Sequence, residues 1–155
     1  MAEELVARME TRSGRAVTYL ATAHMDQTDR TMLERVARHR ARRPDRWTTV
    51  EVVGSPAPHV AKAEGVVLLD ALTSWVAGTA GFAVDIDELI QALRSTRADV
   101  VIVTDEVGFG VSPSTVIGNE FRDVLGSVNG KVSSAADEVF LAIAGRVVQL
   151  DRWSS

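Results

Sequence analysis

One histidine sits in unusually basic surroundings. Residues 30–46 hold Arg30, Arg35, Arg38, Arg40, Arg42, Arg43 and Arg46 around His39, in a chain whose formal net charge is −4. Arginine forks match phosphate oxygens with paired hydrogen bonds. A histidine in their field is held neutral, with a ring nitrogen free to attack phosphorus. The same residues also read as a solvated helix face whose histidine is inert, and composition alone leaves both readings open. A second candidate is Asp70, which ends the apolar run VVLLD at 66–70. A carboxylate in that place holds Mg²⁺ or its water in many nucleotide-hydrolysing α/β proteins. It is equally placed to be a plain helix N-cap. A third is VTDEVGFGVSP at 103–113, where Asp105 and Glu106 close another apolar run ahead of a glycine-containing loop. No G-x-x-x-x-G-K-[ST] run is present in the sequence, so this loop is not by itself a phosphate cradle.

Other patterns exclude more than they suggest. Arg12-Ser13-Gly14-Arg15 mimics the end of a phosphate loop, but it follows a helical stretch and precedes a strand. An anion cradle needs the opposite order, strand then helix N-terminus, so 12–15 reads as a turn. His24, His39 and His59 lack metal-ligand spacing, so no metal-ligating set is expected. No G-x-S-x-G elbow occurs.

The elements that must carry these residues alternate. Residues 2–10 place Leu5, Val6 and Met9 on one helical face, with Gly14 as the stop. Strands are expected at 17–22, 48–53, 66–69, 99–104 and 138–144, with a short last one at 147–150. Helices are expected at 29–42, with Met32, Leu33 and Val36 inward, and at about 71–80, 85–96 and 114–134. Residues 54–58 (GSPAP) and 108–114 read as loops. The 66–69 run is apolar enough to be buried on both faces. Short apolar strands alternating with helices predict an α/β fold with a mostly parallel sheet flanked by helices. In such sheets ligands sit at the carboxyl ends of the strands. That rule selects Thr22 to His24, Glu51, Asp70, and Thr104 to Gly108.

Composition sets the outer bounds. A chain of 155 residues is enough for a single domain, 1–155, with a sizeable core. Cysteine is absent, which removes disulfides, thiolate metal sites and a cysteine nucleophile. The negative balance and 5% aromatic content count against a nucleic-acid partner. No secretory signal is visible in residues 1–15. The apolar stretch 66–84 is broken by Asp70, Gly78 and Gly81, so no membrane partner is expected and the cytoplasm is the expected compartment.

Six stretches in order resemble one family: VTYLATA (17–23), DRTMLERVARHRARRPDRWTTVE (29–51), VVLLDALTSW (66–75), VTDEVGFGVSP (103–113), EFRDVLGSVN (120–129) and ADEVFLAIAG (136–145). They are similar to the bifunctional adenosylcobinamide kinase / adenosylcobinamide-phosphate guanylyltransferase family of cobalamin biosynthesis. The resemblance implies a RecA-like, P-loop-type nucleotide-binding fold and a homotrimer. It implies GTP, ATP and Mg²⁺ as ligands, and adenosylcobinamide and adenosylcobinamide phosphate as substrates. It makes His39, in the H-R-A-R-R-P block, the catalytic residue that carries GMP. It carries nucleotide contacts onto Thr22, Ala23, His24, Ala41, Arg42, Arg43 and Pro44, and onto Glu51 and Asp70. The family normally opens with a strand and a G-G-x-R-S-G-K-S loop ahead of an A-E-containing helix, whereas this sequence starts at that helix, Met1-Ala2-Glu3-Glu4-Leu5. The expected fold therefore lacks that first strand and phosphate loop, and should expose backbone edges and apolar side chains. The alternative function is a catalytically impaired member that binds nucleotide or forms oligomers.

Overall fold

The computed structural model describes residues 1–23 and 43–152. The helix expected at 29–42 lies outside the described residues. The core of the molecule is a four-stranded sheet in the order β2-β1-β3-β4, built from β1 (Val17–Ala21), β2 (Thr48–Glu51), β3 (Val66–Asp70) and β4 (Asp99–Val103). All its pairings are parallel. Val66, Val67, Leu68 and Leu69 of β3 are all buried, as an apolar run must be when helices cover both faces.

Period-2 alternation divides those side chains between two cores. On one face Val17, Tyr19, Val66 and Leu68 pack with Val6 and Trp47 under helix α1 (Ala2–Ser13). On the other face Leu20, Val67 and Leu69 pack against α2 (Ala57–Ala61), α3 (Leu72–Gly78), α4 (Ile86–Ser95) and α5 (Val116–Ala135). A 3₁₀ turn, Ala80–Phe82, links α3 to α4. Asp85 caps α4 by accepting from the Glu88 N–H at 2.9 Å, and Thr115 caps α5 by accepting from the Gly118 N–H at 3.2 Å.

Several boundaries differ from the sequence expectation. α1 runs through Arg12 and Ser13 and stops at Gly14, whose φ of 67° is the left-handed conformation glycine adopts without strain. Its buried stripe is centred on Val6 with Ala2 and Met9, and Leu5 is exposed. The segment at 54–58 is not all loop: Pro56 starts α2, its fixed φ being suited to a helix start. Gly65 precedes β3 with φ +89°, and a Cβ there would lie 2.3 Å from the Ala16 carbonyl oxygen, so only glycine fits this approach.

The last two strands, β5 (Val139–Ile143) and β6 (Arg146–Leu150), form a separate antiparallel hairpin. They do not extend the parallel sheet. Phe140, Ile143, Val147, Val148 and Leu150 are exposed on it. Among the described residues the outer edge of β4 pairs with no strand, and Val100 to Val103 are only partly buried. Among the described residues no helix is long and apolar enough to cross a membrane.

Leu69 is fully buried and Leu5 is 39% exposed. Leu69→Ala is expected to cost about 2–5 kcal/mol, through lost transfer energy and a residual cavity. Leu5→Ala should cost less than about 1 kcal/mol. Urea unfolding of both variants measures the difference, and equal losses would contradict this assignment of the core.

Candidate functional site

Register brings the selected residues together. Ala21 pairs with Glu51 on one side and Asp70 on the other, and Asp70 pairs with Val103. All four strands therefore end on one edge, with Thr22, Glu51, Asp70 and Thr104 along it. Parallel strands of similar length leave no other arrangement.

Thr22 is buried, and its hydroxyl ties β1 to the residue after β3. It donates to the Ala71 carbonyl oxygen at 2.6 Å and accepts from the Ala71 N–H at 2.9 Å. The Thr22 N–H donates to the Asp70 carbonyl oxygen at 3.2 Å. Three bonds thus fix the ends of the two central strands against each other. The Thr22 side chain serves that lock, while Ala23 beside it is partly exposed.

Asp70 does not cap a helix. Ala71 is the N-cap of α3 and that helix has no side-chain cap bond. The Asp70 carboxylate instead accepts from the Tyr19 hydroxyl through Oδ2. Tyr19 lies in the middle of β1 and is almost fully buried. Burial, and then the hydrogen bond and negative charge of Asp70, push its phenol well above the ordinary value, so it stays a donor. Sequence reasoning missed Tyr19. Only the register shows the link: with Tyr19 opposite Leu68 and Ala21 opposite Asp70, Tyr19 and Asp70 lie on the same face of adjacent strands.

Arg43 lies against the same face. Its guanidinium carbon is 3.2 Å from the Tyr19 ring centroid, a stacked cation–π contact. The side chain is 8% exposed, and its Nε lies 3.7 Å from a Glu3 carboxylate oxygen, too far for a hydrogen bond. That buried Nε has no hydrogen-bond partner among the described residues. Arg43 also lines a groove of about 410 Å³ with Pro44, Asp45, Trp47, Thr49 and Glu51, along the β2 side of the sheet. It therefore touches both the groove and the tyrosine that holds Asp70.

The turn carrying Arg43 is pinned to α1. Arg46 donates from Nε and Nη2 to the two oxygens of Glu10 at 2.6 and 2.7 Å, and the buried Trp47 indole donates to Glu10 at 3.0 Å. The Arg46 hydrogen bond first, and the Trp47 bond second, hold the Glu10 carboxyl below its usual range; Glu10 in turn raises Arg46. The basic block is thus not a uniformly solvated face: the Arg43 side chain is largely buried and Arg46 is paired. His24, His39, Ala41 and Arg42 lie outside the described residues.

At the end of β4, Thr104 donates to Asn129 Oδ1 at 2.7 Å, Asn129 donates to the Asp105 carbonyl oxygen at 3.0 Å, and the Asp105 N–H donates to Thr73 at 3.0 Å. This network ties β4 to α3 and α5 beside Asp70. Glu106 accepts from the Gly108 N–H at 2.7 Å. Among the described residues no three His, Cys, Asp or Glu side chains gather as a metal site.

A sequence model of the family described as cobinamide kinase / cobinamide phosphate guanyltransferase matches residues 1–150. The chain belongs to this family. The bifunctional adenosylcobalamin biosynthesis protein CobU of Escherichia coli (strain K12) is 31% identical over 161 residues, covering 86% of this chain and 85% of that protein. CobU of Salmonella typhimurium is 30% identical with the same coverage. The bifunctional protein CobP of Pseudomonas aeruginosa is 29% identical over 150 residues, covering 91% of this chain and 86% of the relative. Members of the family are cobinamide kinase and guanyltransferase enzymes, and the parallel α/β sheet described here agrees with a P-loop-like nucleotide-binding fold.

Glu10 links α1 to the 43–47 turn, so its ionisation should matter to stability. A carboxyl held low in the folded state stabilises above its unfolded value of about 4.3, and that contribution is lost as pH falls through the folded value. Glu10→Gln is therefore expected to lower the urea midpoint near neutral pH, with the gap to the parent closing as pH falls below about 4. Tryptophan fluorescence, to which Trp47 contributes, follows the transition. A gap constant across that range would contradict the ionic part of the link.

Proposed function

We propose that this chain works as an adenosylcobinamide kinase / adenosylcobinamide-phosphate guanylyltransferase in cobalamin biosynthesis, in one nucleotide-binding domain over residues 1–155. The observation that carries this reading is the family match across residues 1–150. The geometry supports it: Asp70 and Glu51 lie at the carboxyl edge of one parallel sheet, and Arg43 lines the groove that reaches Glu51.

Two reactions follow. In the kinase step a nucleoside triphosphate, ATP or GTP, gives its γ-phosphoryl group to the aminopropanol hydroxyl of adenosylcobinamide. In the guanylyl step a ring nitrogen of His39 attacks the α-phosphorus of GTP, and the bond to the leaving pyrophosphate breaks. A phosphate oxygen of adenosylcobinamide phosphate then attacks that phosphorus, the P–N bond breaks, and adenosylcobinamide-GDP leaves. Splitting the transfer across a histidine link is covalent catalysis, with two easier displacements in place of one. Arg42, Arg43 and their neighbours would offset the triphosphate charge. Thr22, Ala23, His24, Ala41, Pro44 and Glu51 complete the nucleotide contacts in this reading.

Asp70 fits Mg²⁺ carried on phosphates. That ion keeps several waters and takes one or two carboxylates beside the phosphate oxygens. Asp70 offers a half-buried carboxylate at the sheet edge with one oxygen already held. Bound there, Mg²⁺ would neutralise phosphate charge. The assembly proposed is a homotrimer in the cytoplasm.

The test is incubation of the chain with α-³²P-labelled GTP and Mg²⁺, beside His39→Ala. Acid-labile, alkali-stable label on the parent alone is the expected result. Equal labelling of both proteins would overturn the role of His39. No label on either would favour the alternative, a family member that binds nucleotide or assembles with other copies without turnover.

A further inference from the structure

We propose that Tyr19 is a positioning residue of the nucleotide site, holding Asp70 through its hydroxyl and Arg43 through its ring. The proposal rests on the nucleotide-binding reading of this edge and adds to it a residue that touches neither nucleotide nor cation.

Three observations carry it. First, the Tyr19 hydroxyl donates to Oδ2 of Asp70, the residue that ends β3. A carboxylate held at one oxygen cannot rotate freely, so Oδ1 is the oxygen it offers at the sheet edge. Second, the Arg43 guanidinium stacks on the other side of this connection, 3.2 Å from the ring centroid. Arg43 is four residues after His39 and directly precedes Pro44, so the ring anchors the end of the H-R-A-R-R-P block to the middle of the sheet. Third, the side chain that the ring fixes also borders the groove, so its guanidinium is placed beside any ligand held there. Arg43 Nε is buried without a partner among the described residues, and the same side chain lines the groove with Glu51.

The ring and the hydroxyl therefore have separable tasks. The hydroxyl sets the orientation of the carboxylate, which governs how well a phosphate-borne cation is held. The ring sets where a cationic fork meets phosphate, which governs nucleotide binding without a metal. Tyr19→Phe removes the first and keeps the second. Tyr19→Leu removes both.

The experiment uses the full chain and a GTP analogue with a methylene bridge between the α and β phosphorus atoms, which cannot transfer GMP. Mn²⁺ serves as the cation probe, with free Mn²⁺ read by electron paramagnetic resonance, and metal-free analogue binding is read by calorimetry. Circular dichroism melting checks that each variant is folded. In the Tyr19→Phe protein, Mn²⁺ affinity in the analogue complex should fall about tenfold, the usual size of a loss behind a ligand. Its metal-free affinity for the analogue should stay within about twofold of the parent, while Tyr19→Leu should also lose metal-free affinity. A folded Tyr19→Phe protein that binds Mn²⁺ like the parent would overturn the hydroxyl's role. Equal metal-free affinities in the Phe and Leu variants would overturn the ring's role. A parent that binds no analogue at all would overturn the nucleotide-binding reading itself, and this proposal with it, so the failures are distinguishable.

Discussion

The site depends on parallel pairing in register around β3. Because Asp70 stands opposite Ala21 and Val103, and Ala21 stands opposite Glu51, four strand ends share one edge. Each crossover returns the chain to the start of the next strand, so polar residues that follow apolar runs collect on one side. Burial of Val66 to Leu69 on both faces fixes that register. A slip of one residue would exchange the two faces, moving Leu68 into the place of Leu69 and Asp70 away from Tyr19. Packing in the two cores and hydrogen bonding at the edge therefore specify the same alignment, and the Thr22–Ala71 exchange secures it at its end.

Legibility in the sequence follows the range of the interaction. β1, β3 and β4 were readable within a residue or two, because apolar runs bounded by polar or glycine residues are local signals. The carboxyl-edge rule then selected Thr22, Glu51 and Asp70 from the parallel topology alone. Asp70 as a helix cap was also locally sensible. What decides against it is a bond to a residue 51 positions earlier, and no local pattern announces that. Arg43 is the same case. Its neighbours in the sequence are arginines, which suggests a solvated surface, yet its side chain is buried against an aromatic ring. Leu5 failed in the other direction. A helical face spans a range of angles, and only the stripe through Ala2, Val6 and Met9 meets the sheet.

The hairpin marks where strand prediction stops short of topology. β5 and β6 occur where apolar alternation places them, but pairing is a long-range choice. With only Ala144 and Gly145 between them they pair with one another, antiparallel, and not with β4. The sequence determined that these residues extend; it did not determine which edge they join. The consequence is two sets of apolar side chains, on β4 and on the hairpin, with incomplete cover.

The chemistry at the edge turns on how a buried cation is tolerated. Removing a guanidinium from water is costly unless something replaces the solvent. Around Arg43 the replacement is partial: a ring face on one side and a carboxylate at 3.7 Å on another, with Nε unmet among the described residues. A fully satisfied arginine would have nothing left for a ligand, and a solvated one would spend its binding energy on desolvation and on ordering a long side chain. The arrangement around Tyr19 lies between these limits. The ring offsets part of the desolvation cost and fixes the guanidinium's place. The same tyrosine restrains an anion at its other end. One side chain thereby keeps a cation and a carboxylate close without letting them neutralise each other. That separation suits a site for phosphate groups and their counter-ion, because a direct Arg43–Asp70 ion pair would occupy both.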